Sequence, residues 1–204
     1  DLLAALRIGP YRVIFNGTER HEELLCLLEQ VRLAEPLLDY LQYFKKVDPY
    51  TYMHILRVFA LSTLLARTLL GTGQHASQEI IASPVHDFGK ICVPLKILIK
   101  SDPLTRTERG GLEHHALAGY VLLSYYMGDP DSFSAKGALE HHERRDGSGY
   151  PAGRPLADPM VEIIAVSDVY DALISPRPYR KNAYENRAAL EEIAGMAESG
   201  AFGW

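Results

Sequence analysis

The chain has 204 residues, of which 21 are basic and 26 acidic, for a formal net charge of −5 with histidine neutral. At roughly 150 residues per domain this is one domain with room for an appendage. A content of 47% hydrophobic and 23% charged residues is ordinary for a globular chain and excludes disorder or collagen-like repeats for its bulk. The acidic balance argues against a coat for nucleic acid polymers, because no net basic field would draw polyphosphate, while a local cationic or metal site can still take a small anion.

Cys26 and Cys92 are too few for a disulfide framework, so a reduced, cytoplasmic compartment is the simpler expectation. No run of about 18 apolar residues reads as a membrane span. The longest candidate, residues 58–70, is interrupted by Arg67. The start, from Asp1 to Arg7, lacks an initiator Met and the basic stretch of a signal peptide, and reads as cut from something longer.

Residues 11–15 read as a short strand ended by the turn pair Asn16-Gly17, part of one short hairpin that is the only β element expected. Residues 21–46 carry leucines at helical spacing, with Pro36 breaking or kinking the helix. Asp48-Pro49 opens a helix that runs to about residue 70 and stops at Gly71-Thr-Gly73. A helix is expected over 76–90, capped by Ser77 and kinked by Pro84, and then a loop through Pro94 and Pro103. Thr105 and Glu108 form the pattern of a capping box for a helix over 107–127, ended at Gly128-Asp-Pro130. Helices follow over 132–143, 159–174 and 184–198, and the stretch 144–157 is turn-rich. The fold class expected is all-α.

Five of the eight histidines fall in three tight groups: His86-Asp87, His114-His115 and His141-His142. Side chains of adjacent residues on a helix lie about 100° apart, so His86 and Asp87 could reach two metal ions from one turn, with the carboxylate as bridge. Lys90 follows on the same face and suits a phosphate as a point charge. His54 sits among Met53, Ile55, Leu56 and Val58, where a hydrogen-bonded core histidine is the plain alternative to a ligand. His115 is followed four residues on by Gly119, a spot without a side chain that lets a neighbour approach. Glu140 and Glu143 flank the His141-His142 pair, which is either surface polarity or a ligand pair with carboxylate support. Asp168 and Asp171 lie three apart on an otherwise apolar helix, where a carboxylate is costly unless paired, hydrogen-bonded or metal-bound. Taken singly, each has a bland explanation. Together they supply more N and O ligands than one ion needs, with little cysteine, and so point to two ions of the Fe, Mn, Zn or Ni kind.

His86-Asp87-Phe88-Gly89-Lys90, His115 with Gly119, the string from His141 to Pro151, residues 165–173 and Arg177-Pro-Tyr-Arg180 resemble the HD-GYP domains, the HD-superfamily phosphodiesterases of bacterial signalling. The resemblance covers about residues 45–193. It implies an all-α HD-superfamily bundle with a Gly-Tyr-Pro loop beside a dinuclear metal site. It divides the chain into an N-terminal helical linker or tail of an upstream sensor domain over 1–45 and a catalytic domain over 46–204, which stops at Trp204, short of a further helix. By position it assigns one metal to His54, His86, Asp87 and Asp168, and the other to Asp87, His115, His141 and His142. It gives Asp87 and Lys90 to catalysis, Lys90, Tyr150 and Arg177 to the substrate, and Asp171 to support of a ligand. Tyr50 stands where some members have a glutamate that helps hold a third metal, so two divalent ions are expected, Fe or Mn first and Zn or Ni next. Ile55 stands where serine is frequent, and Pro84 is unusual.

The activity implied is metal-dependent hydrolysis of cyclic di-GMP to linear pGpG, and onward to GMP in some members, by attack of a metal-bridging hydroxide. The alternatives are a weakly catalytic module that binds a cyclic dinucleotide or a diguanylate cyclase, and a phosphodiesterase for another cyclic dinucleotide or phosphoester. The partners implied are cyclic di-GMP and diguanylate cyclase (GGDEF) domains in a bacterial cytoplasm. The leucines of 21–46 are expected to pack within the chain or, in a homodimer, against another copy. Arg144 and Arg154 read as solvated surface charges.

Overall fold

The computed structural model describes residues 1–7, 9–30, 35–71, 83–176 and 183–203. These residues form helices α1 (Leu2–Ala5), α2 (Tyr11–Ile14), α3 (Thr18–Gln30), α4 (Glu35–Val47), α5 (Pro49–Leu69), α6 (Leu95–Leu98), α7 (Arg106–Glu113), α8 (His115–Met127), α9 (Phe133–Glu140), α10 (Pro159–Ile174) and α11 (Asn186–Glu198). Two 3-10 turns, Ser83–Val85 and Phe88–Cys92, flank His86 and Asp87. Among the described residues there is no strand, only an isolated bridge between Arg144 and Pro155. The all-α expectation therefore holds.

The two helices that carry the centre of the molecule start from the same local chemistry. Asp48 accepts hydrogen bonds from the Thr51 amide at 3.2 Å and the Thr51 hydroxyl at 2.6 Å, with Pro49 in the first turn of α5. Asp158 accepts from the amides of Met160 and Val161 at 2.9 and 3.3 Å, with Pro159 in the first turn of α10. Each cap satisfies donors that a helix start leaves without partners, worth about 1 kcal/mol, and the proline gives up an amide that had none. The Thr105–Glu108 capping box is formed at α7, and Gly128, with φ +65, closes α8.

Helix α5 packs on α10 and divides two hydrophobic clusters. On one side Leu56, Val58 and Phe59 meet Met160 and Ile164 of α10, together with Leu6, Tyr11, Phe15 and Leu24 from the first helices. On the other, Ile55 meets Leu37, Tyr40 and Phe44 of α4, Phe88 and Leu123. Residues before position 46 are thus packed into the same core as α5, and Leu24, Leu27 and Leu37 are buried within the chain. The close of the described chain folds back as well: Phe202 is buried with Leu156, Val161 and Ala165.

Four expectations need correction. Residues 11–15 are not a strand; Tyr11–Ile14 is a turn of helix that places Tyr11 in the core, and a stretch that short has too few residues to show a period. The 21–46 segment is two helices, with Pro36 in the first turn of the second, where its missing amide costs nothing. The 107–127 segment breaks at His114, which ends α7 and precedes α8. The His86-Asp87 pair is not on an α-helix but between the two 3-10 turns, with Pro84 inside the first. The rest of the 76–90 expectation, with Ser77, lies outside the described residues.

Candidate metal centre

Helix α5 brings His54 to the centre, the turn between the 3-10 segments brings His86 and Asp87, the first residue of α8 brings His115, the turn after α9 brings His141 and His142, and α10 brings Asp168 and Asp171. All but His142 are buried side chains, and His142 is partly so. The approach depends on two glycines. A Cβ at Gly89 would collide with the His115 carbonyl and the Gly119 amide, and one at Gly119 would come within 3.2 Å of the Gly89 amide. Backbone thus meets backbone where the His86-Asp87 turn crosses α8.

Asp87 lies between two groups of donors. Its Oδ2 is 3.5 Å from His86 Nε2 and 3.6 Å from His54 Nε2, and its Oδ1 is 3.3 Å from His115 Nε2 and 3.9 Å from His141 Nε2. The donor atoms of His54, His86 and Asp87 lie within 4.8 Å of one another, and so do those of Asp87, His115, His141 and His142. Asp168 Oδ1 is 3.0 Å from His54 Nε2, and its Oδ2 is 3.7 Å from His142 Nδ1. Lys90 pairs with Asp87 Oδ2 at the rim.

The histidine tautomers follow from their neighbours. His86 Nδ1 is 2.6 Å from the Ser83 carbonyl, His115 Nδ1 is 2.7 Å from the Leu112 carbonyl, and His141 Nδ1 is 2.9 Å from the Ala138 carbonyl. A carbonyl only accepts, so each Nδ1 carries the proton and each Nε2 presents a lone pair to the site. Burial lowers the pKa of His86, His115 and His142, and of His141 to about 3, so these rings are neutral. His86 Nε2 then has no hydrogen-bond partner, and His115 Nε2 faces His141 Nε2 at 3.3 Å and His142 Nε2 at 3.1 Å. Lone pairs that face one another in a buried site repel unless a cation lies between them. The donor set of imidazoles and carboxylates, with His54, His86, His115 and His141 each oriented through Nδ1 by a second partner, fits a divalent transition metal at each group.

The charges agree. Burial would raise the Asp87 carboxyl, but the Lys90 ammonium and the surrounding imidazoles hold it well below the usual carboxylate range. Burial also opposes ionisation of Asp168, and the hydrogen bond to His54 with the nearby rings overcomes it. His54 is the exception among the histidines: burial disfavours its charge, but Asp168 and Asp171 on its two nitrogens push its pKa up to about 9.

Asp171 is fully buried and accepts from His54 Nδ1 at 2.7 Å. The Tyr50 ring stacks on His54, with centroids 6.2 Å apart. Tyr150 stacks on His142 and lines a cleft of about 340 Å³ with Pro103, Leu104, Arg109, Leu112 and Glu113. Arg177 lies outside the described residues. Two residues have roles at the site that the sequence does not assign. Glu143 is buried and accepts from the amides of Ala152 and Arg154 at 2.7 and 3.1 Å, which ties the Gly-Tyr-Pro loop to the His142 backbone. The signal was its position between the histidine pair and the glycine-rich run. Tyr11 donates to Asp171 from far along the chain, and nothing in the sequence marks it. Arg144 is not a solvated charge: it donates to the Glu143 carbonyl at 2.8 Å and lies over the Phe202 ring at 4.9 Å.

Comparison with known proteins follows the same lines. A family model described as HD domain matches residues 32–203. The chain is 47% identical over 115 residues to the cyclic di-GMP phosphodiesterase response regulator RpfG of Xanthomonas campestris pv. campestris, covering 54% of this chain and 29% of that protein. It is 35% identical over 133 residues to the 3'3'-cGAMP-specific phosphodiesterase 1 of Vibrio cholerae, covering 64% and 30%. The chain thus spans less than a third of the length of these relatives. Among solved structures, Bd1817, an HDG"Y"P protein from Bdellovibrio bacteriovorus, superposes with a TM-score of 0.58 at 19% identity, covering 74% of this chain and 47% of that one. That likeness is one of fold.

Proposed function

Since the chain belongs to the HD domain family, we propose that it is a metal-dependent phosphodiesterase of the HD-GYP type that hydrolyses cyclic di-GMP to linear pGpG. The observation that carries this reading is the pair of donor groups that share Asp87, with one carboxylate oxygen turned toward each. His54, His86, Asp87 and Asp168 would hold one ion, and Asp87, His115, His141 and His142 the other. Divalent cations held by these residues would supply Lewis acidity, the chemistry that makes water a nucleophile near neutral pH and offsets charge on a phosphoryl group.

The chain's own residues do the rest. Asp87, kept ionised, fixes the two donor groups relative to each other. Lys90, paired with Asp87, would offer its ammonium to phosphoryl oxygens as they gain negative charge. The Tyr150 phenol, pushed up by burial, stays protonated and offers a hydroxyl and an aromatic face rather than a charge. The cleft beside it suits a nucleobase, which any aromatic face can stack. Arg177 is the further phosphate contact in this reading, and Fe or Mn the ions. A diguanylate cyclase (GGDEF) domain is the protein partner that the Gly-Tyr-Pro loop would meet, in a bacterial cytoplasm.

A second reading is favoured by one observation: some relatives are named for 3'3'-cGAMP. The test is turnover of cyclic di-GMP and of 3'3'-cGAMP side by side, with the products separated. Faster cleavage of cyclic di-GMP supports the first reading, and faster cleavage of the hybrid dinucleotide supports the second. Binding of either without cleavage, with metal present, makes the chain a sensor module.

A further inference from the structure

The first helices end at the metal centre. The Tyr11 hydroxyl donates to Asp171 Oδ1 at 2.6 Å, while Asp171 Oδ2 accepts from His54 Nδ1 at 2.7 Å. Each oxygen of this buried carboxylate therefore has its own partner. The Ser175 hydroxyl also donates to Oδ1, at 3.0 Å, and the Arg57 guanidinium is 3.8 Å away. Arg57 in turn donates through Nε to the Ala5 carbonyl at 3.1 Å, which fixes α1 against α5. Tyr11 is 1% exposed, with its ring held against Phe15 and edge-on to Tyr170. A tyrosine whose ring fills the core and whose hydroxyl reaches a ligand's carboxylate partner is more than packing.

We propose that Tyr11 is a positioning residue for the metal centre: by holding Asp171 it sets the orientation of His54, and so the affinity of the first metal position depends on how the N-terminal segment is seated. This rests on the metal-centre reading above. The physics is that of an outer partner of a ligand. A carboxylate with both oxygens fixed cannot rotate, so the imidazole that donates to it keeps its Nε2 aimed at the ion. Loss of such partners commonly weakens metal binding about 10- to 100-fold. The chain before residue 16 is thereby coupled to the site without touching substrate, and any displacement of α2 that withdraws the hydroxyl loosens His54.

The experiment is metal titration of the metal-free full chain against a competing chelator, for Tyr11→Phe, Asp171→Asn and the double variant. Tyr52→Phe is the control, because the Tyr52 hydroxyl bonds Asp1 and not Asp171. The expected result is about tenfold weaker binding of one of two ions in Tyr11→Phe, an unchanged control, and no further loss when Tyr11→Phe is added to Asp171→Asn. A residue that only packs would lower the melting temperature of the metal-free chain and leave both metal affinities alone. Wild-type affinity in Tyr11→Phe, or losses that add in the double variant, would overturn the proposal. Failure of the wild-type chain to bind any divalent ion would instead sink the metal-centre reading itself. If Tyr11→Phe does not fold, Ser175→Ala removes another donor to the same oxygen and should weaken the same ion; no change there would equally overturn the proposal.

Discussion

The Tyr150 ring lies 4.5 Å from the His142 ring, at an interplanar angle of 26°, so the tyrosine of the Gly-Tyr-Pro loop covers a histidine of the metal centre. The loop reaches that place because Gly149 has no side chain: a Cβ there would collide with the His142 carbonyl and the Glu143 backbone. Behind it, the Tyr150 amide donates to the His142 carbonyl at 3.2 Å. The loop that faces the cleft and the turn that carries His141 and His142 are therefore one packed unit.

Gly149→Ala is expected to push the loop off His142. We expect weaker binding of one ion, about tenfold as for loss of a ligand's support, together with a lower melting temperature, because the clash is with backbone. Tyr150→Phe keeps the ring and should keep the affinity, while Tyr150→Ala should follow Gly149→Ala. Equal affinity in all three variants, measured by chelator competition, would mean that the stack does not hold His142.

The two glycines at the crossing of the His86-Asp87 turn and α8 predict an order of severity. At Gly119 a methyl would sit 3.2 Å from both Ala138 Cβ and the Gly89 amide, which a small shift can relieve, at a cost of about 1–3 kcal/mol. At Gly89 a methyl would meet backbone that cannot move without displacing His115. Gly89→Ala should thus destabilise more than Gly119→Ala in urea unfolding, and should abolish metal binding. The reverse order would show that the crossing is not held by backbone contact.

Metal uptake should release a proton. In the metal-free chain His54 is held charged up to about pH 9 by Asp168 and Asp171, and the Nε2 that would bind the ion must first lose its proton. Affinity for one ion should rise about tenfold per pH unit below pH 9 and level off above it. A flat profile between pH 7 and 9 would contradict the charge assigned to His54.

Stability of the metal-free chain should fall on the acid side. His86, His115, His141 and His142 have lowered pKa values in the fold, so below about pH 6.5 the unfolded chain binds protons that the folded chain does not. Each contributes a loss of up to about 1.4 kcal/mol per pH unit. His54, with a raised pKa, has the opposite sign: its contribution is complete below pH 6.5 and is lost as pH rises through about 9. Thermal melts at pH 7 and 5 should show a clear drop at pH 5, and equal melting temperatures would mean that the imidazoles are not buried neutral.

Much of this was legible in the sequence because it is local. Asp48-Pro49 and Asp158-Pro159 announce their helices through side chains that bond two or three residues on. The capping box Thr105–Glu108 does the same. Histidines and carboxylates in an apolar setting announce a site because burial without partners is costly. What was not legible depends on distance along the chain. Tyr11 meets Asp171 across 160 positions, and its segment, too short for a period, read as a strand. The break at His114 lies inside a stretch that is helical on both sides, and no residue there signals it. In sequence Glu143 is a carboxylate flanking the histidine pair, and its loop-holding role is hidden because only the folded loop brings the amides of Ala152 and Arg154 to it.

The most direct measurement is hydrolysis of cyclic di-GMP by the purified chain, with metal content determined on the same sample and Asp87→Ala beside it. The account predicts about two divalent ions per chain, as a two-metal site requires, linear pGpG as product, and loss of both ions and turnover in Asp87→Ala. Undiminished turnover in Asp87→Ala, or no turnover with both positions filled, would contradict it.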